Sequence, residues 1–351
     1  MSETQDFTGT MPVNERHRFD SQRLAQWMTD HVEGFRGPLA VEQFRGGQSN
    51  PTFRLTAGSG RYVLRRKPPG KLLPSAHAVD REYRVITALG DTGVPVARSY
   101  ALCLDDSIIG TTFYIMDCVE GRIFWDPTLP ELAKDERRAV YEAMNAVIAS
   151  LHQVDYQKIG LGDFGRPGNY FARQIDRWTK QYRASATETI EAMDRLIEWL
   201  PQNLPPDDET AIVHGDFRLD NLIFHPREPR IVAVLDWELS TLGNPLADFS
   251  YHMMTWELGP EAYRGLGGKD LDALGIPSKE EYRALYCRRT GRAGIANWDF
   301  YMAYNMFRLA AILQGIMGRV VEGTAANVKA RESGARARAL AEAGWRRVEA
   351  M

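Results

Sequence analysis

Read as a pattern of apolar and polar positions, the chain begins with strand periods and ends with helical ones. Leu24, Trp27 and Met28 recur at helical spacing and predict a first helix over residues 21–32. Alternation follows: residues 52–56 alternate as a half-buried strand does, Gly58, Ser59 and Gly60 turn the chain, and Tyr62, Val63, Leu64 and Arg65 read as the next strand. A helix over 78–89 interrupts this region. Two more strands, 99–104 and 112–119, are separated by the turn Asp105, Asp106, Ser107. Beyond Gly121 the pattern is mostly helical. Val140, Met144, Val147, Ile148 and Leu151 stripe a helix over 135–152, and Phe171, Ile175, Trp178 and Tyr182 stripe the next. A proline-rich, acidic linker spans 201–208. The run 299–320 is apolar nearly all round and predicts a buried helix, yet it holds Asn305 and Arg308. A buried arginine needs a partner, so Arg308 is open to a structural ion pair or to a role in binding an acceptor.

Within this frame the most telling residues are His214, Gly215, Asp216, Phe217, Arg218, Leu219, Asp220 and Asn221, followed after a short apolar run by Leu235, Asp236, Trp237 and Glu238. Their order is that of a phosphoryl-transfer site, in which one carboxylate faces a hydroxyl while an amide and a second carboxylate hold magnesium. The strand Ala211, Ile212, Val213 leads into a turn at which glycine lets the backbone bend tightly enough to aim Asp216. Asn221 offers a neutral oxygen suited to a hard cation. Strands over 222–224 and 231–235, joined by a turn around Pro226 and Pro229, would bring Asn221 and Asp236 to the same end of a small sheet. His214 reads as a packing and orienting residue, and Asp220 as a solvated or loop-capping carboxylate. Asp248 is expected either to cap a helix over 249–257 or to bond the catalytic turn.

The loop around Gly46, Gly47, Gln48, Ser49 and Asn50 is equally a simple turn or a cradle whose backbone amides approach phosphate. Arg65 stands where a cation could pair with nucleotide phosphates, and Glu82 on the following helix could hold it, whereas Arg66 points the other way on a regular strand. In a two-lobed protein, Phe113 to Gly121 is the natural crossing strand, with Met116, Asp117 and Val119 able to meet an adenine edge.

Length and charge narrow the remaining choices. A chain of 351 residues predicts two domains or lobes. No apolar run is long enough to cross a bilayer and the start lacks a signal-peptide core, which predicts a soluble cytoplasmic protein. Cys103, Cys118 and Cys287 lack metal-type spacing and fit reduced thiols. From Arg283 onward there are twelve Lys and Arg against five acids, although the net charge of the whole is -3. Without a nucleic-acid signature, that surplus reads first as a solvated helix face and second as a surface for an anionic small-molecule acceptor.

Taken together, Gly46 to Asn50, Tyr62 to Arg65, Glu82, the 214–221 motif and Asp236 resemble the aminoglycoside phosphotransferase and choline kinase group. The stretch Val63 to His77, with its Pro68, Pro69, Gly70, Lys71, is similar to the kinase-like domain fused to acyl-CoA dehydrogenases. The resemblance implies an α+β protein-kinase-like fold: a flexible leader over 1–19, a strand-rich nucleotide-binding lobe over 20–118, and a helical catalytic and acceptor-binding lobe over 119–351, with ATP between the lobes. It implies Asp216 as catalytic base, Arg218 near the phosphates, Asn221 and Asp236 as Mg2+ ligands, and Arg65 in the usual lysine position paired to Glu82. Gly46, Gly47, Ser49, Asn50, Met116, Asp117 and Val119 complete the ATP contacts. A hydroxyacyl-CoA is the implied acceptor, and acyl-CoA dehydrogenase an implied associate. Competing readings are a non-catalytic pseudokinase-like partner, a kinase of an aminoglycoside-like or choline-like acceptor, and a metal hydrolase built on His214, Asp216, His225 and Asp236.

Overall fold

The structure is a computed structural model that describes residues 9–45, 50–68, 77–206, 208–259, 265–323 and 330–351. It divides into two compact units, one formed by residues 1–125, 157–161 and 220–240 and the other by 126–156, 162–219 and 241–351.

The first unit is built on a six-stranded antiparallel sheet in the order β1-β2-β3-β4-β6-β5. Its strands are β1 (Thr10–Met11), β2 (Leu39–Phe44), β3 (Thr52–Ala57), β4 (Gly60–Arg66), β5 (Ser99–Cys103) and β6 (Phe113–Asp117). Among the described residues, pairing already occurs at Thr10, within the stretch that the sequence reads as a leader. Side chains alternate across β4, and the alternation sorts its two arginines. Leu64 shares its face with Phe53 and Ile115, in a core closed by Leu24, Trp27 and Met28 of the helix α1 (Ser21–His31). Arg66 donates to the carbonyls of Ile109 and His17 and lies over the rings of Phe19 and Phe53. Arg65 turns instead towards α2 (Val79–Leu89), whose buried stripe reads Val79, Glu82, Val85, Ile86, Leu89. A carboxylate in an apolar stripe requires a partner, and that arginine is it.

A two-stranded hairpin, Leu222–Phe224 with Ile231–Val234, completes this unit. It is joined to the chain that leaves β6 by reciprocal hydrogen bonds between Arg122 and Phe224, both 2.8 Å. The approach is so close that a Cβ on Gly121 would lie 2.1 Å from the Phe224 carbonyl oxygen, hence glycine there.

The second unit is helical. At its centre is Trp298–Val321, apolar nearly all round as its sequence predicts, against which Tyr170–Ser185, Pro245–Glu257 and Ala337–Glu349 pack. The helix Glu191–Gln202 carries Pro201 in its last turn, so helix extends into the stretch read as a linker. The helix expected over 249–257 starts four residues earlier: Pro245 takes the first position and Asn244 Oδ1 accepts from Leu246 N at 2.9 Å as the cap. Asp248 is therefore an interior residue, and its expected capping role is replaced by the alternative, a bond to the turn at His214 and Gly215. A short antiparallel pair, Ala211–Val213 with Thr241–Gly243, brackets that turn. Among the described residues, the basic C-terminal stretch forms Ala330–Gly334 and Ala337–Glu349. No described helix is long and apolar enough to cross a membrane.

Candidate active site

The turn after Ala211–Val213 is made by Gly215, whose φ of 85° lies in the left-handed region that an L side chain resists. Its amides are anchored from across the second unit. Asp248 Oδ2 accepts from His214 N at 2.8 Å and Asp248 Oδ1 from Gly215 N at 2.8 Å. The same Oδ2 lies 3.2 Å from His152 Nε2, and His152 Nδ1 lies 2.7 Å from the Tyr286 hydroxyl. Burial works against the charge on Asp248, but the His152 hydrogen bond, the His152 and His214 rings and the loop amide outweigh it, and the carboxyl is held below the ordinary aspartate range. His214 is fully buried, and its Nδ1 accepts from Asp216 N at 3.2 Å, an orienting contact within the turn.

This turn presents Asp216. Arg218 Nε stands 3.0 Å from Asp216 Oδ1, and the Tyr251 hydroxyl donates to the same oxygen at 2.6 Å. Among the described residues, Arg308 bonds the backbone of this turn and not a carboxylate. Its guanidinium, on a residue only 8% exposed, donates to the Gly215 carbonyl at 2.9 Å and lies 5.0 Å from the centre of the Tyr251 ring. Burial opposes its charge, yet Tyr304, Tyr170, Tyr251 and Asp216 together keep it more firmly protonated than a free arginine.

A second set of residues gathers in the first unit. Arg65 Nε is 2.8 Å from Glu82 Oε2, and Arg65 Nη2 is 2.6 Å from Asp236 Oδ1 and 3.7 Å from Glu238 Oε2. Glu82 also accepts from Asn50 Nδ2 at 2.8 Å and from the Tyr114 hydroxyl at 3.2 Å. Burial opposes the charge of Arg65, but Glu82 first and Asp236 next overcome it, so the guanidinium stays cationic; burial pushes the Glu82 carboxyl up, against the pull of Arg65. Asn50 is wholly buried and its Oδ1 lies 3.0 Å from His77 Nδ1.

The hairpin places Asn221 and Asp236 at one end, as its strand lengths require: Leu222 is registered with Val234, and Leu235 N donates to the Asn221 carbonyl at 2.8 Å. Asp236 sits at φ 64°, a left-handed conformation uncommon for a residue other than glycine and found where surroundings over-determine a functional turn. His225 is engaged by its own turn, accepting from Arg227 N and Glu228 N at 3.3 and 3.1 Å. On β6, Met116 is registered with Val63 on one side and Ser99 on the other, and Asp117 N donates to the Arg98 carbonyl at 2.8 Å. The Tyr100 hydroxyl holds Asp117 Oδ1 at 2.5 Å, and Val119 follows beyond the end of the strand. Gly46, Gly47 and Ser49 lie outside the described residues.

A family model described as "Phosphotransferase enzyme family" matches residues 40–304. The chain belongs to that family. The chain has the kinase-like α+β fold of its relatives. It is 50% identical over 312 residues to acyl-CoA dehydrogenase family member 10 of Mus musculus, covering 88% of this chain but 29% of that protein's length. A crystal structure from Ralstonia eutropha JMP134, assigned as an aminoglycoside phosphotransferase, is 58% identical with a TM-score of 0.89, covering 95% of this chain and 99% of the other. The fold extends to aminoglycoside phosphotransferase APH(4)-Ia, solved in a ternary complex with ADP and hygromycin B, at 17% identity and a TM-score of 0.59, covering 92% and 98%.

Two residues that hold the Asp216 turn escape a local reading of the sequence. Tyr251 is 35 residues from Asp216 and carries no motif, although it lies one helical turn after Asp248. His152 closes a predicted helix, and nothing near it in sequence announces the buried carboxylate 96 residues away.

Proposed function

We propose that this phosphotransferase is an ATP- and magnesium-dependent small-molecule kinase that moves the γ-phosphoryl group to a hydroxyl of an anionic acceptor such as a hydroxyacyl-CoA. The observation that carries the reading is the Asp216 turn, with its amides tied to Asp248 and its carboxylate held by two donors. A carboxylate so placed accepts the acceptor's proton as the hydroxyl oxygen bonds to phosphorus and the nucleoside diphosphate leaves with the bridging oxygen. Arg218, beside it, supplies positive charge for the transferring group. Catalysis of this kind comes mainly from positioning and charge stabilisation.

Asn221 and Asp236 fit a magnesium ion in donor chemistry, one neutral and one charged oxygen side chain at a single hairpin end, with Asp236 held in a left-handed turn. When bound, magnesium would neutralise nucleotide phosphate charge. Arg65, kept cationic by Glu82, takes the phosphate-pairing role that lysine fills in many kinases, with a planar fork in place of a point charge. Asn50 is held by Glu82, and the segment through Met116, Asp117 and Val119 would supply backbone groups to the adenine edge.

The surplus of Lys and Arg from Arg283 onward and the name of the mouse relative support the anionic acyl-CoA acceptor and an acyl-CoA dehydrogenase as associate. Part of that surplus is spent on ion pairs, with Arg292, Arg338 and Arg347 facing Glu209, Glu188 and Glu257. The test is consumption of MgATP against hydroxyacyl-CoAs, free hydroxy acids, choline and aminoglycosides. Asp216→Asn should bind nucleotide normally and lose about 100- to 10,000-fold in turnover. Nucleotide binding without turnover on any acceptor would make the protein a pseudokinase-like module, and unchanged turnover in the variant would remove Asp216 from the chemistry.

A further inference from the structure

The helix Pro245–Glu257 touches the Asp216 turn twice, one turn of helix apart. Asp248 takes the backbone amides, and Tyr251 takes the side chain, its hydroxyl donating to Asp216 Oδ1 at 2.6 Å. An aspartate carboxylate rotates in a broad, shallow well, so holding the backbone alone does not aim its oxygens. Arg218, at 3.0 Å from the same oxygen, is 31% exposed in its side chain. Tyr251 is more enclosed. It is 7% exposed, and the guanidinium of Arg308 packs on its ring while binding the Gly215 carbonyl. One cation thereby joins the ring of the tyrosine to the backbone of the turn that the tyrosine orients.

We propose that Tyr251 is a positioning residue that fixes the rotation of the Asp216 carboxylate for proton transfer from the acceptor. The proposal rests on the reading of Asp216 as the base. It also accounts for the buried charge of Arg308, which joins the tyrosine to the turn.

Tyr251→Phe removes the hydroxyl and keeps the ring beneath Arg308. In the full chain with MgATP and the acceptor that supports the fastest turnover, kcat should fall about 10- to 100-fold, the range set by a hydrogen bond to a charged partner. The KM for ATP and the calorimetric affinity for nucleotide should not move. A double-mutant cycle separates aiming from folding: in the Asp216→Asn background, Tyr251→Phe should cost little further, because the hydroxyl acts only through that carboxylate. Wild-type kcat in Tyr251→Phe, or the same fractional loss in both backgrounds, overturns the proposal while leaving Asp216 as base. Full turnover in Asp216→Asn alone overturns the underlying reading, and the role of Tyr251 with it.

Discussion

Replacing Asp248 by asparagine tests whether the Asp216 turn is held from the helix Pro245–Glu257. The carboxylate accepts from two backbone amides on different oxygens, Oδ2 from His214 N and Oδ1 from Gly215 N, each at 2.8 Å, while Oδ2 also lies 3.2 Å from His152 Nε2. An amide has one oxygen. Whichever way the asparagine is turned, its NH2 group faces one of those N–H donors, and a buried donor left without an acceptor costs about 1–3 kcal/mol. The surviving bond also loses its charge assistance, worth about 1 kcal/mol. The sum is about 3 kcal/mol, which for a unit of about 150–250 residues lowers the melting temperature by about 6–12 °C. Because the side chain is 3% exposed, solvent does little to relieve the orphaned amide.

The consequence for function follows from the same contacts. Once one amide is released, the Gly215 turn no longer presents Asp216 in a single orientation, and a displacement of about 1 Å at a reacting group costs about 100-fold in rate. Nucleotide affinity should stay close to wild type, since Arg65, Asn221 and Asp236, proposed to hold nucleotide and magnesium, belong to the other unit. Guanidinium unfolding at constant m, calorimetry of nucleotide binding and steady-state turnover measure the three quantities. An Asp248→Asn protein with wild-type unfolding midpoint and wild-type kcat would refute the anchoring argument. A pH control is available: a carboxyl held below its unfolded value contributes stability above about pH 4 and loses it as pH falls further, so the variant should show a shallower acid loss than the wild type.

Two further predictions concern other groups. Asp236→Ala should abolish the magnesium dependence of nucleotide binding, and a calorimetric titration in which magnesium still strengthens binding to the wild-type extent would discredit Asp236 as a ligand. His252 is buried against the Tyr282 hydroxyl at 2.8 Å, and burial brings its pKa down from 6.5 to about 4. Between those values the unfolded chain binds the proton and the folded chain does not, so stability should fall by about 3 kcal/mol as pH drops from about 6.5 to 4. Denaturant midpoints in that window should flatten in His252→Phe by comparison with wild type; parallel curves would show that His252 is not the titrating group.

Elements whose signal is local were legible from the residues alone. The helices at Ser21–His31 and Val79–Leu89, the strands β3 to β6 and the long apolar helix Trp298–Val321 follow from spacing, because burial of one stripe or one face imposes a period on the residues that make it. The motif residues were legible for a related reason. A turn that aims Asp216 needs glycine just before it, and a hairpin of short strands brings its two ends together, so Asn221 and Asp236 are neighbours by connectivity. The pairing of Arg65 with Glu82 was readable as soon as a carboxylate fell on the buried stripe of a helix following the strand.

What remained hidden is held by contacts with no period and no fixed spacing. The start of the helix at Pro245 was set by the Asn244 cap, which put Asp248 inside the helix and gave its carboxylate to the amides of a turn 33 and 34 residues away. Tyr251 reaches Asp216, Arg308 reaches Gly215, and Arg65 reaches Asp236 across 35, 93 and 171 residues respectively. The sequence by itself determined which groups are candidates for phosphoryl transfer, because their types and short-range order are chemical requirements. Only the tertiary structure decided which donors hold each of them in place, because a hydrogen bond depends on separation in space and angle, and packing of distant helices sets both.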